Sequence, residues 1–165
     1  MKILVLSDSH KSLQFMYRCV ETIKPDAIVH LGDHYDDGET LAEKYPHLTV
    51  HQVPGNCDAN RCPPMAREVL CYKVCGVRLF MTHGHNHHVK LGIGALLSDA
   101  RKEQAQAALY GHTHRPDCHQ EPDGLWVLNP GSCGCGSRTA AVIETAEQEI
   151  LRCYLIGWEE LEEMK

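Results

Sequence analysis

The chain has 165 residues, 43% hydrophobic and 23% charged, the composition of a globular protein long enough to bury a core. Its net charge of -6 and pI near 6.0 exclude a non-specific nucleic-acid binder, because no excess of cations is present to neutralise backbone phosphates. A phosphate-bearing small substrate stays compatible with that balance, since bound metal ions can supply the positive charge.

The opening "MKILVLSDSH" meets Asp8 too early to form a signal-peptide core, and no later run is long enough to span a bilayer. A cytoplasmic protein is expected, with a single domain over residues 1–165. Within that opening, "KILVL" reads as a buried strand. Leu13 to Lys24 has helical spacing after Ser12, a candidate N-cap, and stops at Pro25. "AIVHL" is a second strand, Glu39 to Lys44 a short helix and "LTVHQV" a third strand. After a loop with Pro63 and Pro64, "EVLCYKV" and "VRLFMTH" flank a turn at Gly76 and read as a hairpin. Leu91 to Gln106 is expected to be helical and "AALY" a short strand. "GLWVLNP", "TAAVIET" and "EILRCYLI" read as antiparallel strands, with turns at Pro122–Gly124 and Ala146–Gln148. Strand-helix alternation followed by hairpins gives an α/β class: two mixed sheets face to face with helices outside.

Nine cysteines form an odd set without an export signal, which argues against a disulfide framework. The closest pairs, Cys57/Cys62, Cys71/Cys75 and Cys133/Cys135, lack the C-x-x-C spacing of structural zinc modules. Most read as small buried hydrophobes.

The twelve histidines are more informative, because several follow the apolar runs. The first strand ends in Asp8 and His10, the second in Asp33 and the third in Asn56. "VRLFMTH" ends in His83 and "AALYGHTH" in His112 and His114. Ligands of open α/β sheets bind beyond the carboxyl ends of the strands, so these five ends are expected to converge. If the chain is extended there, Asp8 with His10 and His112 with His114 point the same way in pairs. Glycines before Asp33, Asn56 and His112 allow bends. Two carboxylates, one amide oxygen and four imidazoles suit first-row metal ions, and seven ligands fit two ions sharing a carboxylate.

These residues resemble the calcineurin-like metallophosphoesterase superfamily, whose pattern is D-x-H, G-D-x-x-D, G-N-H-[DE], an isolated His and G-H-x-H. Here it reads "DSH", "GDHYD", "GNCD", "THGH" and "GHTH", and "NPGS" (Asn129 to Ser132) adds to a likeness to the short YfcE-like phosphodiesterase branch. The resemblance implies a four-layer α/β/β/α sandwich. It also implies one ion held by Asp8, His10, Asp33 and His114 and a second held by Asp33, Asn56, His83 and His112. Manganese is the foremost expectation, with zinc, nickel, iron or cobalt as alternatives. The implied reaction is in-line attack on a phosphate diester by a hydroxide bridging the ions, without a phospho-enzyme. Alternatives are a phosphomonoesterase on a small phosphorylated metabolite and a non-catalytic metal-binding scaffold. Self-association is a further expectation by resemblance.

Around the ligands, Asp36 matches a position that orients a ligand. His85 either contacts phosphate or water in the cleft or is a solvated loop histidine. His34 is a cleft candidate and His30 a buried supporting one. In the family pattern a His follows the Asn and is thought to protonate the leaving group; Cys57 replaces it here. Asp58 is expected to support the site. A nucleophilic Cys57 is disfavoured because no activating base is evident, so the cysteine marks a missing general acid. The Cys/Gly run "GSCGCGSR" (Gly131 to Arg138) is a second departure, with no role assigned to Cys133 or Cys135.

Overall fold

The computed structural model describes residues 1–136 and 138–164; Ser137, inside the Cys/Gly run, and Lys165, the last residue of the expected domain, lie outside the described residues. One sheet contains β1 (Lys2–Leu6), β2 (Ala27–His30), β3 (Thr49–Gln52), β9 (Thr139–Ala146) and β10 (Glu149–Gly157), in the order β10-β9-β1-β2-β3. The other contains β4 (Val69–Val74), β5 (Val77–Thr82), β6 (Ala107–Leu109), β7 (Asp117–Gln120) and β8 (Trp126–Asn129), in the order β4-β5-β6-β8-β7. Both are mixed: β1 runs parallel to β2 and antiparallel to β9, and β6 runs parallel to β5 and β8, which in turn run antiparallel to β4 and β7.

Side-chain alternation sets the layers. Ile3 and Val5 of β1 face the core between the sheets, where they join Leu79 and Met81 of β5 and Leu109 of β6. Leu4 and Leu6 face outward onto α1 (Leu13–Ile23), whose Phe15, Met16, Cys19, Val20 and Ile23 form one apolar stripe. On the far side, Phe80 and Ala108 pack on α3 (Gly94–Lys102) through Leu96, Leu97 and Ala100. The result is the expected α/β/β/α sandwich. Among the described residues, no helix is long and apolar enough to cross a membrane.

Several boundaries differ from the sequence reading. The first helix closes at Lys24 in the left-handed region as expected, but Ser12 makes no side-chain cap. The second helix, α2, starts earlier, at Tyr35, and runs to Lys44; Asp36 and Asp37 in its first turn complement the helix dipole. The third helix is shorter than 91–106, because Gly92 and Gln104 take positive φ on either side of it. Strand β7 escaped notice because "DCHQ" is a short polar edge. A terminal helix α4 (Trp158–Glu163) was also missed; Trp158 stacks near Phe15, and Glu160 accepts a bond from the Gly157 N–H. All three expected turns are present. Cys75 with Gly76, and Glu147 with Gln148, are pairs of left-handed residues, the geometry that matches strand twist, and Gly124 takes positive φ in the turn between β7 and β8.

Candidate metal centre

The carboxyl ends of β1, β2, β3, β5 and β6 meet at one edge of the sandwich. The backbone there is not extended: Asp8, His10, Asp33, His112 and His114 all have φ between 43° and 65°. The paired ligands therefore converge through left-handed turns and not by strand alternation, as a short loop must when it reverses over a sheet edge. Of the three glycines expected to bend the chain, only Gly32 has positive φ (+95°); Gly55 and Gly111 serve close approach instead. A Cβ at Gly55 would lie 2.2 Å from Asp33 Oδ1, and one at Gly111 2.0 Å from Ser7 Oγ.

Asp8 is fully buried. Its Oδ2 accepts bonds from Ser7 Oγ (2.5 Å) and the His112 N–H (3.1 Å). Among the described residues its Oδ1 has no aligned hydrogen bond; it lies 2.9 Å from His114 Nε2 and 4.0 Å from His83 Nε2. Ligand atoms of Asp8, His10, Asp33 and His114 all lie within 4.8 Å of one another. His83 is buried beside them, and its Nδ1 lies 2.7 Å from Leu31 O. A carbonyl only accepts, so Nδ1 carries the proton. Its Nε2 faces Asn56 Oδ1 (3.1 Å), Asp33 Oδ1 (3.6 Å) and Asp8 Oδ1. A buried nitrogen among oxygen acceptors is satisfied by a proton or, where that proton is absent, by a cation. The ring of His112 lies 5.1 Å from that of His83. Burial, and then His83, push the imidazoles of His112 and His85 down, which favours the neutral form a metal requires.

Asp33 ends β2. Burial alone would raise its pKa, but His83 and the Cys57 N–H (2.9 Å to Oδ1) outweigh that and hold it below the usual range. Asp58 is buried, yet its carboxylate is used by the backbone: Oδ1 accepts from the His34 and Tyr35 N–H groups and Oδ2 from Gly55. It is a positioning residue that locks the loops carrying Asp33 and Asn56. Cys57 is exposed, with Sγ 3.5 Å from Asn56 Nδ2. Desolvation and then Asp33 push its thiol up, opposite to what a nucleophile needs. The ring of His85 is 5.4 Å from that of His83, at the rim of the cluster. His34 also borders it, 5.2 Å from the ring of His10, with Arg61 Nη1 3.0 Å from its Nδ1.

Sequence reasoning did not single out a second supporting acid. Asp36 is half-exposed beside His34, and Asp37 is buried and accepts bonds from Ser9 Oγ (2.7 Å) and Lys11 N–H (2.8 Å). The start of α2, and not the G-D-x-x-D spacing, decides that Asp37 faces inward. The "NPGS" element ties loops together: Asn129 Nδ2 donates to Gly111 O and Thr113 Oγ1, and Ser132 Oγ donates to Asp8 O.

Behind the cluster, His30 Nε2 lies 3.0 Å from Ser9 Oγ. Burial pulls its pKa down to about 4, outweighing the nearby Asp37 and Asp8 charges. An unfolded histidine titrates near 6.5. Between those values the unfolded chain holds the proton and the native one does not. Stability is therefore complete above about pH 6.5 and declines as pH falls toward 4. In urea melts of metal-free protein, wild type is expected to lose about 3 kcal/mol more than His30→Gln between pH 7 and pH 4. Parallel curves would reject a buried neutral imidazole.

Two mixed sheets whose strand ends gather carboxylates and imidazoles at one edge form the architecture of a metal-dependent phosphoesterase. The model of the calcineurin-like phosphoesterase superfamily domain matches residues 1–148, and the chain belongs to that superfamily. It is 27% identical over 134 residues to a probable metallophosphoesterase of Mycoplasma pneumoniae, covering 79% of this chain and 78% of that one. Its fold is similar to that of a conserved Streptococcus pneumoniae protein, a predicted phosphoesterase, with TM-score 0.72, 26% identity, and 94% and 97% of the two chains covered. It is also similar in fold to YfcE, a phosphoesterase from E. coli, with TM-score 0.62, 22% identity, and 93% and 98% covered.

Proposed function

We propose that the chain is a metal-dependent phosphodiesterase in which Asp8, His10, Asp33 and His114 hold one divalent cation and Asp33, Asn56, His83 and His112 hold a second. The observation carrying this reading is the convergence of ligand atoms from Asp8, His10, Asp33 and His114 within 4.8 Å of one another, where the buried Asp8 Oδ1 has no aligned hydrogen bond among the described residues and His83 Nε2 lies 4.0 Å away. Divalent ions bound there supply Lewis acidity toward phosphate oxygens and acidify a coordinated water near neutral pH. The chain's own residues prepare that chemistry. Leu31 O fixes the tautomer of His83, the Cys57 N–H keeps Asp33 ionised, and the Asp58 carboxylate holds both loops in place. His85 stands at the rim, where a phosphate oxygen or a departing alkoxide is met.

A cavity of about 570 Å³ adjoins Asn56 and His85 and is lined on its other sides by Pro54, Pro63, Pro64 and Glu68. It offers room for a second ester substituent, which a monoester does not need. The Glu68 carboxylate also favours a singly charged diester over a doubly charged monoester.

The reading is tested by stripping the protein with chelator, restoring manganese, zinc, nickel, iron or cobalt singly, and comparing an aryl diester with an aryl monoester. Turnover is expected only after an ion is restored, with the diester faster. Faster monoester turnover would assign the site to a phosphomonoesterase. No turnover with any ion would leave a metal-binding scaffold.

A further inference from the structure

The Cys/Gly run after "NPGS" is stitched onto the loop that carries Asp8 and His10. The Cys133 N–H donates to Ser7 O (3.0 Å), and the Gly134 N–H donates to Asp8 O (3.2 Å). The contact tolerates no side chain at position 134, where a Cβ would lie 2.4 Å from Ser9 O and 3.0 Å from His10 Cβ. The two cysteines flanking this glycine have opposite fates. Cys133 is fully buried among the residues under α1, and burial pushes its thiol up to about 12, so it is a core residue. Cys135 is exposed, and its Sγ, a ring nitrogen of His10 and a ring nitrogen of His114 all lie within 4.8 Å of one another.

His10 and His114 also belong to the group with Asp8 and Asp33, so the two sets of ligand atoms share two residues. Among the described residues, His10 Nε2 is buried without a hydrogen-bond partner, and Oδ1 of the fully buried Asp8, 2.9 Å from His114 Nε2, has no aligned hydrogen bond. We infer that Cys135 is an additional, thiolate ligand of the cation held by Asp8, His10, Asp33 and His114, and that it biases this position toward thiophilic divalent ions such as zinc and cobalt(II) over manganese. The inference rests on the metal-centre reading above and goes beyond it in naming a fifth ligand and a metal preference. On binding, the thiol proton leaves to solvent and the sulfur lone pair forms the new bond to the ion. Thiolate is the softest donor available here, and manganese gains least from it.

The experiment titrates cobalt(II) into chelator-treated full-length protein and follows the absorption spectrum. Wild type is expected to show a near-ultraviolet thiolate-to-cobalt charge-transfer band rising in step with the visible d–d bands. Cys135→Ser is expected to keep the d–d bands and lose the charge-transfer band, while Cys57→Ser keeps both. In competition titrations Cys135→Ser should weaken zinc by about tenfold or more while leaving manganese nearly unchanged. Visible bands without charge transfer in wild type would overturn the thiolate ligand and leave the metal centre standing. A charge-transfer band that survives Cys135→Ser would also overturn it. No cobalt spectrum at all would overturn both readings together.

Discussion

Asp33→Asn is expected to lower ion-dependent diester hydrolysis by about a hundredfold or more, and to remove the rise in thermal stability that added ions give the wild type. In the proposed centre Asp33 is the ligand shared by both cations. Its Oδ1 accepts from the Cys57 N–H at 2.9 Å and lies 3.6 Å from His83 Nε2, while its carboxylate also belongs to the group with Asp8, His10 and His114. The amide is isosteric and can still accept the Cys57 bond, so the metal-free variant is expected to fold. What it loses is the negative charge that the proposed pair of divalent ions requires. Ion binding to the native state alone stabilises it by about 2.7 kcal/mol at a free concentration one hundred times Kd. That increment, read as a shift in Tm on adding manganese or zinc, should be present in wild type and absent in the variant. Full diesterase activity in Asp33→Asn would sink the enzymatic reading. An intact Tm increment would show that Asp33 is not the shared ligand.

Cys57→His should raise alkyl monoester hydrolysis relative to diester hydrolysis by about tenfold or more, since a placed general acid contributes on the order of 10² to 10⁴. The structure puts position 57 where such a group is useful. Cys57 is exposed, directly follows Asn56, and is anchored through its own N–H to Asp33. A thiol there is a poor proton donor to an alkoxide, and neighbouring carboxylates only make it harder to ionise. Alkyl monoesters depend most on protonation of the leaving oxygen, so the native chain should handle them poorly and the variant better. Measuring kcat/KM for an alkyl monoester and an aryl diester on both proteins decides the matter. An unchanged ratio would mean that His85, 5.4 Å from His83 ring to ring, already delivers the proton.

Most of the architecture was legible because it rests on burial. Runs such as "KILVL" and "AIVH" are apolar on both faces, as strands covered by a second sheet and by helices must be, and their ends announced Asp8 and Asp33. The hairpin turns were legible from Gly76 and the polar 146–148 stretch. Strand β7 and helix α4 were not, because "DCHQ" and "WEELEE" bury too little to impose a period. Within the site, residue types and spacing identified which side chains meet but not how. The left-handed turns at Asp8, Asp33, His112 and His114 are set by contacts between loops distant in sequence. For the same reason Asp37 and Cys135 were not assigned: Asp37 reaches Ser9 and Lys11 through the start of α2, and Cys135 reaches His10 and His114 through the 131–136 loop, which no local pattern encodes.

The bonds that hold Asp8 also bear on the order in which the protein comes into being. Its side chain is gripped by the His112 N–H, and its carbonyl by the Ser132 hydroxyl and the Gly134 N–H, the serine lying 124 residues further along the chain. At a synthesis rate of roughly 5–20 residues per second, Asp8 waits about 6 to 25 s on the ribosome for the last of these partners. Strand β1 waits longer still for β9, its antiparallel neighbour. The hairpin of β9 and β10 thus arrives as a keystone: until it is made, the first sheet stays open at one flank and the ligands of the cradle are unassembled. Completion of that sheet and competence to capture an ion become one event, late in the life of the nascent chain.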